Sequence, residues 1–543
     1  MSKANLIKTL IFSFLTNLFL YLSFPPADIG YLAWIAFVPW FLLIVTEEKY
    51  VHLNALFIGV VFFFIQLSWL RYVTVTAWVL LSSYCAAYFL LFAVCTRFII
   101  FRLRLPLVIV APCVWASLEF MRSFFLTGFP WFFTGHTQYK FLPVIQISDI
   151  TGIYGISFII IAVNAAIADL IIRCFARKGL PHGTFRDRNP YSGSKYIFFC
   201  VTCVFPLVIL AAAVLYGIFW LKNYAPREGP VVCMVQGNIP QDLKFDPTEE
   251  EQIKILKKYS DLSISVKDKQ IDLVVWPETM IPGLLNINPE ITGRKIDMLS
   301  QLTVTQLAKD LNANLLIGGV ALILVGDEQF YFNSAYYYNK KGELVDRYDK
   351  IHLVPFGEFT PLKKYFPFLA RLVPYEIGLT HGVKRTLFSL DTHSSGNFTF
   401  GTSICYEDTV SSLIRKFKKD GVDFMLNITN DGWFRNSAEL DQHLAIMVFR
   451  AIENRICMAR AANTGISSFV GPDGTIYDRL LDTVGKYREI RGMLVNQIKL
   501  LNKQGTFYTM CGDWFPIFCS AVSVSMLFIA IFNGSFRLTF YKR

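Results

Sequence analysis

Residues 398–408 read Phe-Thr-Phe-Gly-Thr-Ser-Ile-Cys-Tyr-Glu-Asp. An apolar run of strand length ends at Cys405, and two acids, Glu407 and Asp408, follow almost at once. Taken alone, Cys405 reads as a packed core residue, half of a disulfide or a nucleophile, and packing is the ordinary fate of a buried thiol. Its position weighs on the other side, because open α/β sheets gather reactive groups just past the carboxyl ends of their strands.

The surrounding chain has the texture of such a sheet. Across 223–510, apolar runs shorten to strand length near 231–237, 271–276, 314–321, 333–339, 398–404 and 422–428. They alternate with amphipathic stretches near 247–267, 292–312, 408–419 and 438–457, which indicates an α/β domain. No internal repeat is visible. Two more strands end in capable residues: Asp272–Trp276 runs into Pro277-Glu278, and Asp423–Ile428 into Thr429-Asn430-Asp431-Gly432-Trp433. A fourth segment, Tyr348 to Glu358, carries Lys350, His352 and Glu358 after a strand-like stretch. Individually these are ordinary: Lys350 a surface lysine, Glu278 and Glu358 loop acids, Asn430-Asp431-Gly432 a turn signal. This domain has no HxxxH or CxxC pair, so no metal site is expected in it, and it holds no Gly-x-Ser-x-Gly or phosphate loop.

The rest of the chain is of another kind. Of its 543 residues 54% are hydrophobic and only 17% charged, a membrane composition rather than a soluble one. Runs long enough to span a bilayer occur near 6–24, 29–46, 52–70, 75–98, 104–120, 155–173, 197–221 and 511–533, which predicts eight spans. The first follows Lys3 and Lys8 as a signal peptide would, but no small-residue cleavage site stands out, and a retained helix is expected. The net charge of +11 gathers in short segments between spans rather than in a basic-aromatic nucleic-acid patch. An inside N-terminus puts Lys3, Lys8, Lys49, the 97–104 arginines, the 173–195 cluster, Arg537, Lys542 and Arg543 in the cytoplasm. Only Arg71, Arg122 and Lys140 then lie in short outside segments, as the positive-inside rule requires. Both termini are therefore expected inside and 223–510 outside. The expected organisation is a seven-helix membrane domain at 1–222, an extracytoplasmic domain at 223–510, and an eighth helix with a tail at 511–543; segment 179–196 is a cytoplasmic linker. The outer domain holds only Cys233, Cys405 and Cys457, too few for a disulfide-stapled scaffold, although a bridge from Cys405 to either partner stays open.

The order of the motifs carries more than any one of them. Trp276-Pro277-Glu278-Thr279, then Asp349-Lys350 through Glu358, then Ser403 to Asp408 give Glu, Lys and Cys after successive strands. This pattern resembles the nitrilase superfamily, whose Glu-Lys-Cys site sits in an α-β-β-α sandwich. VQGNIPQ (235–241), VVWPET (274–279), KIHLVPFGEFTP (350–361), CYE (405–407) and NDGWF (430–434) resemble its membrane-embedded branch, the apolipoprotein N-acyltransferase family, as do GFPW (128–131) and GIYGISF (152–158). The likeness covers essentially the whole chain. It departs after QGNIPQ, where the family favours Trp after a lysine and Phe245 follows Lys244 here.

The resemblance implies that Cys405 attacks a phospholipid ester, with Glu278 as general base and Lys350 stabilising the oxyanion and thiolate. Glu358 would orient Lys350, with Tyr406 and Glu407 in support. A thiol near its free pKa is mostly protonated at neutral pH, so the chemistry does require such a base. The lysophospholipid would leave, and the α-amine of a diacylglyceryl-cysteine apolipoprotein would take the acyl chain from the thioester in a ping-pong cycle. No cofactor is implied; a monomer in the bacterial inner membrane is expected. Apolar stretches Met280–Leu285 and Phe366–Pro374 would form a gate at the membrane interface or pack in the core, and Phe129, Trp131 and Phe132 in the outside segment 122–154 would pack beneath the site. Two other readings remain: a membrane-tethered nitrilase-like amidase with water as second nucleophile, and a transporter with an external domain, which the scarcity of ionisable groups inside the spans disfavours.

Overall fold

A computed structural model describes residues 3–47, 50–177, 200–355, 357–359, 365, 378–394, 396–501 and 505–540. The chain divides into two compact units, one of 1–71, 75–223 and 511–543, the other of 72–74 and 224–510.

In the first unit, five helices are long and apolar enough to cross a membrane: Asn5–Ser23, Val75–Leu103, Ile153–Cys174, Cys200–Lys222 and Trp514–Phe532. Five of the eight expected spans are thus met by length and composition among the described residues, and the other three positions hold shorter helices. The stretch Gly30–Thr46 is broken into a 3-10 turn and helices Ala33–Ala36 and Val38–Thr46, the last with Pro39 in its first turn. Helices Val51–Gln66 and Leu107–Arg122 have 16 residues each. At 1.5 Å per residue that is about 24 Å, against a hydrocarbon core of about 30 Å. The carboxylate of Asp169 accepts from the N–H groups of Leu107 and Val108, at 3.2 and 3.1 Å, and so caps the second of these helices. Phe129, Trp131 and Phe132 are buried within this unit, Phe132 among Phe24, Phe62 and Phe63.

Among the described residues the second unit contains twelve strands in two six-stranded sheets. One runs β12-β1-β2-β3-β4-β5, with β1 Arg227–Gln236, β2 Leu273–Trp276, β3 Asn314–Val325, β4 Glu328–Tyr338, β5 Leu344–Asp349 and β12 Gly492–Leu500. The other runs β11-β10-β9-β8-β7-β6, with β6 Phe388–Asp391, β7 Asn397–Ile404, β8 Phe424–Thr429, β9 Cys457–Ala462, β10 Ser468–Val470 and β11 Ile476–Arg479. In each, three parallel strands are flanked by antiparallel ones. The two sheets thus repeat one topology, β12 and β6 holding equivalent edges, although no sequence repeat announces it.

Helices α1 (Glu249–Ile264) and α2 (Lys295–Leu311) cover the outer face of the first sheet. Tyr259, Val304, Leu307 and Ala308 meet Cys233, Val235, Val274, Trp276 and Ile317 there. The alternate residues Val232, Met234, Leu273, Val275 and Leu316 are equally buried, so these strands bury both faces and read as continuous apolar runs. Helices α3 (Ser411–Lys419) and α4 (Glu439–Asn454) pack with the second sheet, giving helix, sheet, sheet and helix layers. Helix α1 starts at a reciprocal cap: Thr248 Oγ1 accepts from Glu251 N, and Glu251 Oε2 accepts from Thr248 N.

Of the two readings of the loop after β2, gate or core packing, the loop takes the second. Met280, Ile281, Leu284 and Leu285 are all buried, and Met280, Ile281 and Leu285 belong to the core under α2. Asp297 fixes the loop by accepting from Leu284 N at 2.8 Å. Residues 366–374, the linker 179–196 and the side chain of Phe245 lie outside the described residues.

Candidate active site

Strand β7 delivers Cys405 into the first position of a 3-10 turn, Cys405–Thr409, with a left-handed φ of +54°. Neighbouring β8 pins that turn: Asn427 Nδ2 donates to the Cys405 carbonyl at 3.0 Å. Glu407 binds it from the other side. Its carboxylate accepts from Ile404 N at 2.8 Å, from Ile351 N at 2.7 Å and His352 N at 2.9 Å, and lies 2.8 and 2.9 Å from the Tyr348 hydroxyl. The Cys405 turn is thereby tied to the exit of β5, where Lys350 stands. Burial pushes the Glu407 carboxyl up to about 7 against the pull of these donors and of Lys350.

Lys350 is buried and lies between two carboxylates, 2.8 Å from Glu358 Oε1 and 3.4 Å from Glu278 Oε1. Burial alone draws its ammonium down, but Glu358, Glu278 and Cys405 outweigh it and the net shift is upwards, so Lys350 stays charged. Glu278 has two partners besides Lys350: Asn333 Nδ2 at 2.7 Å from Oε1, and Asn430 N at 2.9 Å from Oε2. Asn333 also reaches Glu358 Oε1 at 3.2 Å, and Glu358 Oε2 accepts from Val354 N at 2.8 Å. For Cys405, burial and then the charge of Glu278 push the thiol well up; Lys350 opposes, Asp431 adds, and a hydrogen bond from Thr429 opposes. At rest the sulfur therefore keeps its proton, and attack by it would require a base. The structure brings Glu278, Lys350, Glu358 and Glu407 together with Cys405. Tyr406 is half-buried in the same turn, its carbonyl accepting from Thr409 Oγ1 at 2.7 Å.

Asn333 escaped the sequence reading, although an amide inside the apolar stretch Phe330–Tyr338 is a misfit in a strand and a usable signal. A second group was also missed. Asp408 accepts from His443 Nε2 at 2.7 Å and is paired with Arg460, while Asp431 and Glu439 lie 3.8 and 3.5 Å from His443 Nδ1. All five side chains are buried. Asp431, Glu439 and His443 offer atoms within 4.8 Å of one another, a spacing a metal ion could use. Burial and Arg460 draw His443 down, but Asp408 and Asp431 outweigh them and its pKa rises to about 9. An imidazolium and the Arg460 guanidinium thus already supply cations to these acids.

Comparison with known proteins follows the same division. Residues 17–166 match the apolipoprotein N-acyltransferase N-terminal domain family and residues 232–486 the carbon-nitrogen hydrolase family. The chain is similar to an apolipoprotein N-acyltransferase of Geobacter metallireducens, 33% identical over 521 residues, covering 93% of this chain and 92% of the relative. It is similar to apolipoprotein N-acyltransferase 1 of Treponema denticola, 27% identical over 93% of this chain and 92% of that protein. Among solved structures, an amidase from Nesterenkonia sp. is 17% identical, with a TM-score of 0.35 over 50% of this chain and 91% of that one.

Proposed function

Since the chain belongs to the apolipoprotein N-acyltransferase family of the nitrilase superfamily, and is an acyltransferase of lipoproteins by that membership, we propose that it works through a thioester on Cys405 fed by a membrane phospholipid. The supporting observation is the position of Lys350, buried between Glu278 and Glu358 and acting electrostatically on Cys405. Glu278 takes the thiol proton as sulfur attacks the ester carbonyl. Lys350 faces the developing oxyanion, and a preorganised donor of this kind contributes on the order of 3 kcal/mol. The glycerol oxygen leaves with a proton returned from Glu278, and lysophospholipid departs. The α-amine of a diacylglyceryl-cysteine apolipoprotein then attacks the thioester, Glu278 removes its proton, and the thiol is regenerated as the amide leaves. Asn333 and Asn430 hold both oxygens of Glu278 while Glu407 fixes the nucleophile turn.

The catalytic domain is 223–510, on the outer side of the bacterial inner membrane. Residues 1–222 and 511–543 carry seven spans and one, with both termini in the cytoplasm, and the enzyme acts as a monomer without cofactor. Given phospholipid alone, purified enzyme should form a hydroxylamine-sensitive acyl adduct that Cys405→Ser abolishes and Glu278→Gln suppresses at least about 100-fold. Acyl transfer by wild type with no such adduct overturns the thioester. Addition of a diacylglyceryl peptide should then yield acyl amide; free fatty acid instead would mark a hydrolase.

A further inference from the structure

The residue after Glu278 has a backbone that is hard to hold. Thr279 is left-handed, with φ +54°. For a β-branched residue this costs about 1–2 kcal/mol and persists only where the surroundings over-determine it. The restraint comes from the short turn Asp242–Phe245 and the residue before it. Lys244 Nζ donates to Thr279 Oγ1 at 2.7 Å. Gln241 Oε1 accepts from Asn430 Nδ2 at 2.8 Å, and Asn430 gives its N–H to Glu278. Two links from one turn therefore converge on Glu278, one through the residue that follows it and one through a residue that binds it.

We propose that Lys244 is a positioning residue of this site: it anchors Thr279, and with it the Glu278 segment, and as an ammonium it favours the carboxylate form of Glu278 that deprotonates Cys405. The proposal rests on the reading of Glu278 as general base. Lys244 is half-buried. Burial draws its pKa down to about 7, and the charge of Glu278 works the other way. From the β2 loop, Glu278 is the charge that acts on it and Thr279 its hydrogen-bond partner; Asp242 and Asp246 lie on its own turn. The two lysines of the site thus differ: Lys350 is locked as a cation, whereas Lys244 exchanges its proton near neutrality.

The test is the pH dependence of adduct formation by the full-length enzyme in vesicles of phosphatidylethanolamine and phosphatidylglycerol. Lys244→Met should move the acid limb of the rate upward by about one pH unit, which slows adduct formation roughly ten-fold below the limb. Lys244→Arg keeps the charge and should leave the limb in place. Thr279→Val, which retains the charge but loses the anchoring hydroxyl, should slow the reaction at every pH without moving the limb. An acid limb unmoved in Lys244→Met, or moved equally in Lys244→Arg, overturns the proposal; Lys244→Gln replaces the methionine variant if that does not fold. Adducts that survive in Cys405→Ser or Glu278→Gln would instead overturn the underlying reading of the site.

Discussion

The chemistry proposed for Cys405 rests on a glycine 87 positions earlier (405 − 318). A Cβ on Gly318 in β3 would stand 2.2 Å from the Pro277 carbonyl oxygen and 2.8 Å from the Glu278 Cα. Both are backbone atoms, so neither can swing aside as a flexible side chain would. Ile281 N also donates to the Gly318 carbonyl at 3.1 Å, closing the loop onto the strand. Gly318→Ala must therefore push the Glu278 segment away from Lys350 and Asn333. A misplacement of about 1 Å in a reacting group costs on the order of 100-fold, and overpacking a filled site costs about 1–3 kcal/mol. The variant should fold with a lowered Tm and form the acyl adduct roughly 100-fold more slowly, measured by hydroxylamine-sensitive labelling beside thermal unfolding. Labelling at the wild-type rate would show that β3 does not set the position of Glu278.

At the scale of elements, the ion network around His443 joins parts that the chain keeps far apart: the nucleophile turn through Asp408, the end of β8 through Asp431, α4 through His443 and Glu439, and β9 through Arg460. The pKa of His443 rises to about 9 in the folded protein, against about 6.5 unfolded. Its contribution is fully present below pH 6.5 and is lost as pH rises through 9, up to about 3 kcal/mol for this buried group. Glu439 is shifted upwards too, by burial and then Asp431, so it releases its proton in the same direction and adds to the loss. Thermal unfolding of wild type should weaken from pH 6.5 to 9, and His443→Gln should flatten that decline. An unchanged slope in the variant would mean that the imidazolium does not hold these elements together. Nothing in the sequence pointed to this network, because its members are scattered over 408–460 and each is unremarkable locally. The placement of Glu278 and Cys405 was legible for the opposite reason, since each follows an apolar run, and that of Lys350 because it follows the strand-like stretch 344–349. The strands after Thr429 were not. β9 reads Cys-Met-Ala-Arg-Ala-Ala, with two-sided burial in place of alternation and a buried arginine explained only by Asp408. β10 has three residues, and β12 pairs with β1 from more than 250 residues away. The loop 280–285 kept two readings open because apolar residues meant for the α2 face look the same in sequence as residues meant for lipid.

For the whole molecule, charge asymmetry is the physical lever that sets which side of the membrane carries the α/β unit. Lys and Arg in short loops resist translocation, whereas Asp and Glu have little effect. Segment 173–195 alone carries Arg173, Arg177, Lys178, Arg186, Arg188 and Lys195, while the short segments assigned to the outer side carry Arg71, Arg122 and Lys140. A 287-residue unit, 224–510, follows the helix Cys200–Lys222 and precedes Trp514–Phe532, so its side is set by those two spans. Val484 lies in a loop of that unit and is 85% exposed, which makes it a suitable reporter. In a background lacking reactive native cysteines, Val484→Cys should be modified by a membrane-impermeant maleimide in intact spheroplasts, and Ser192→Cys only after lysis. The reverse pattern would put the acyl-enzyme on the cytoplasmic side and overturn the proposed location. Protection of both until lysis would do the same, because a site enclosed within the cell could not receive lipoproteins at the outer leaflet.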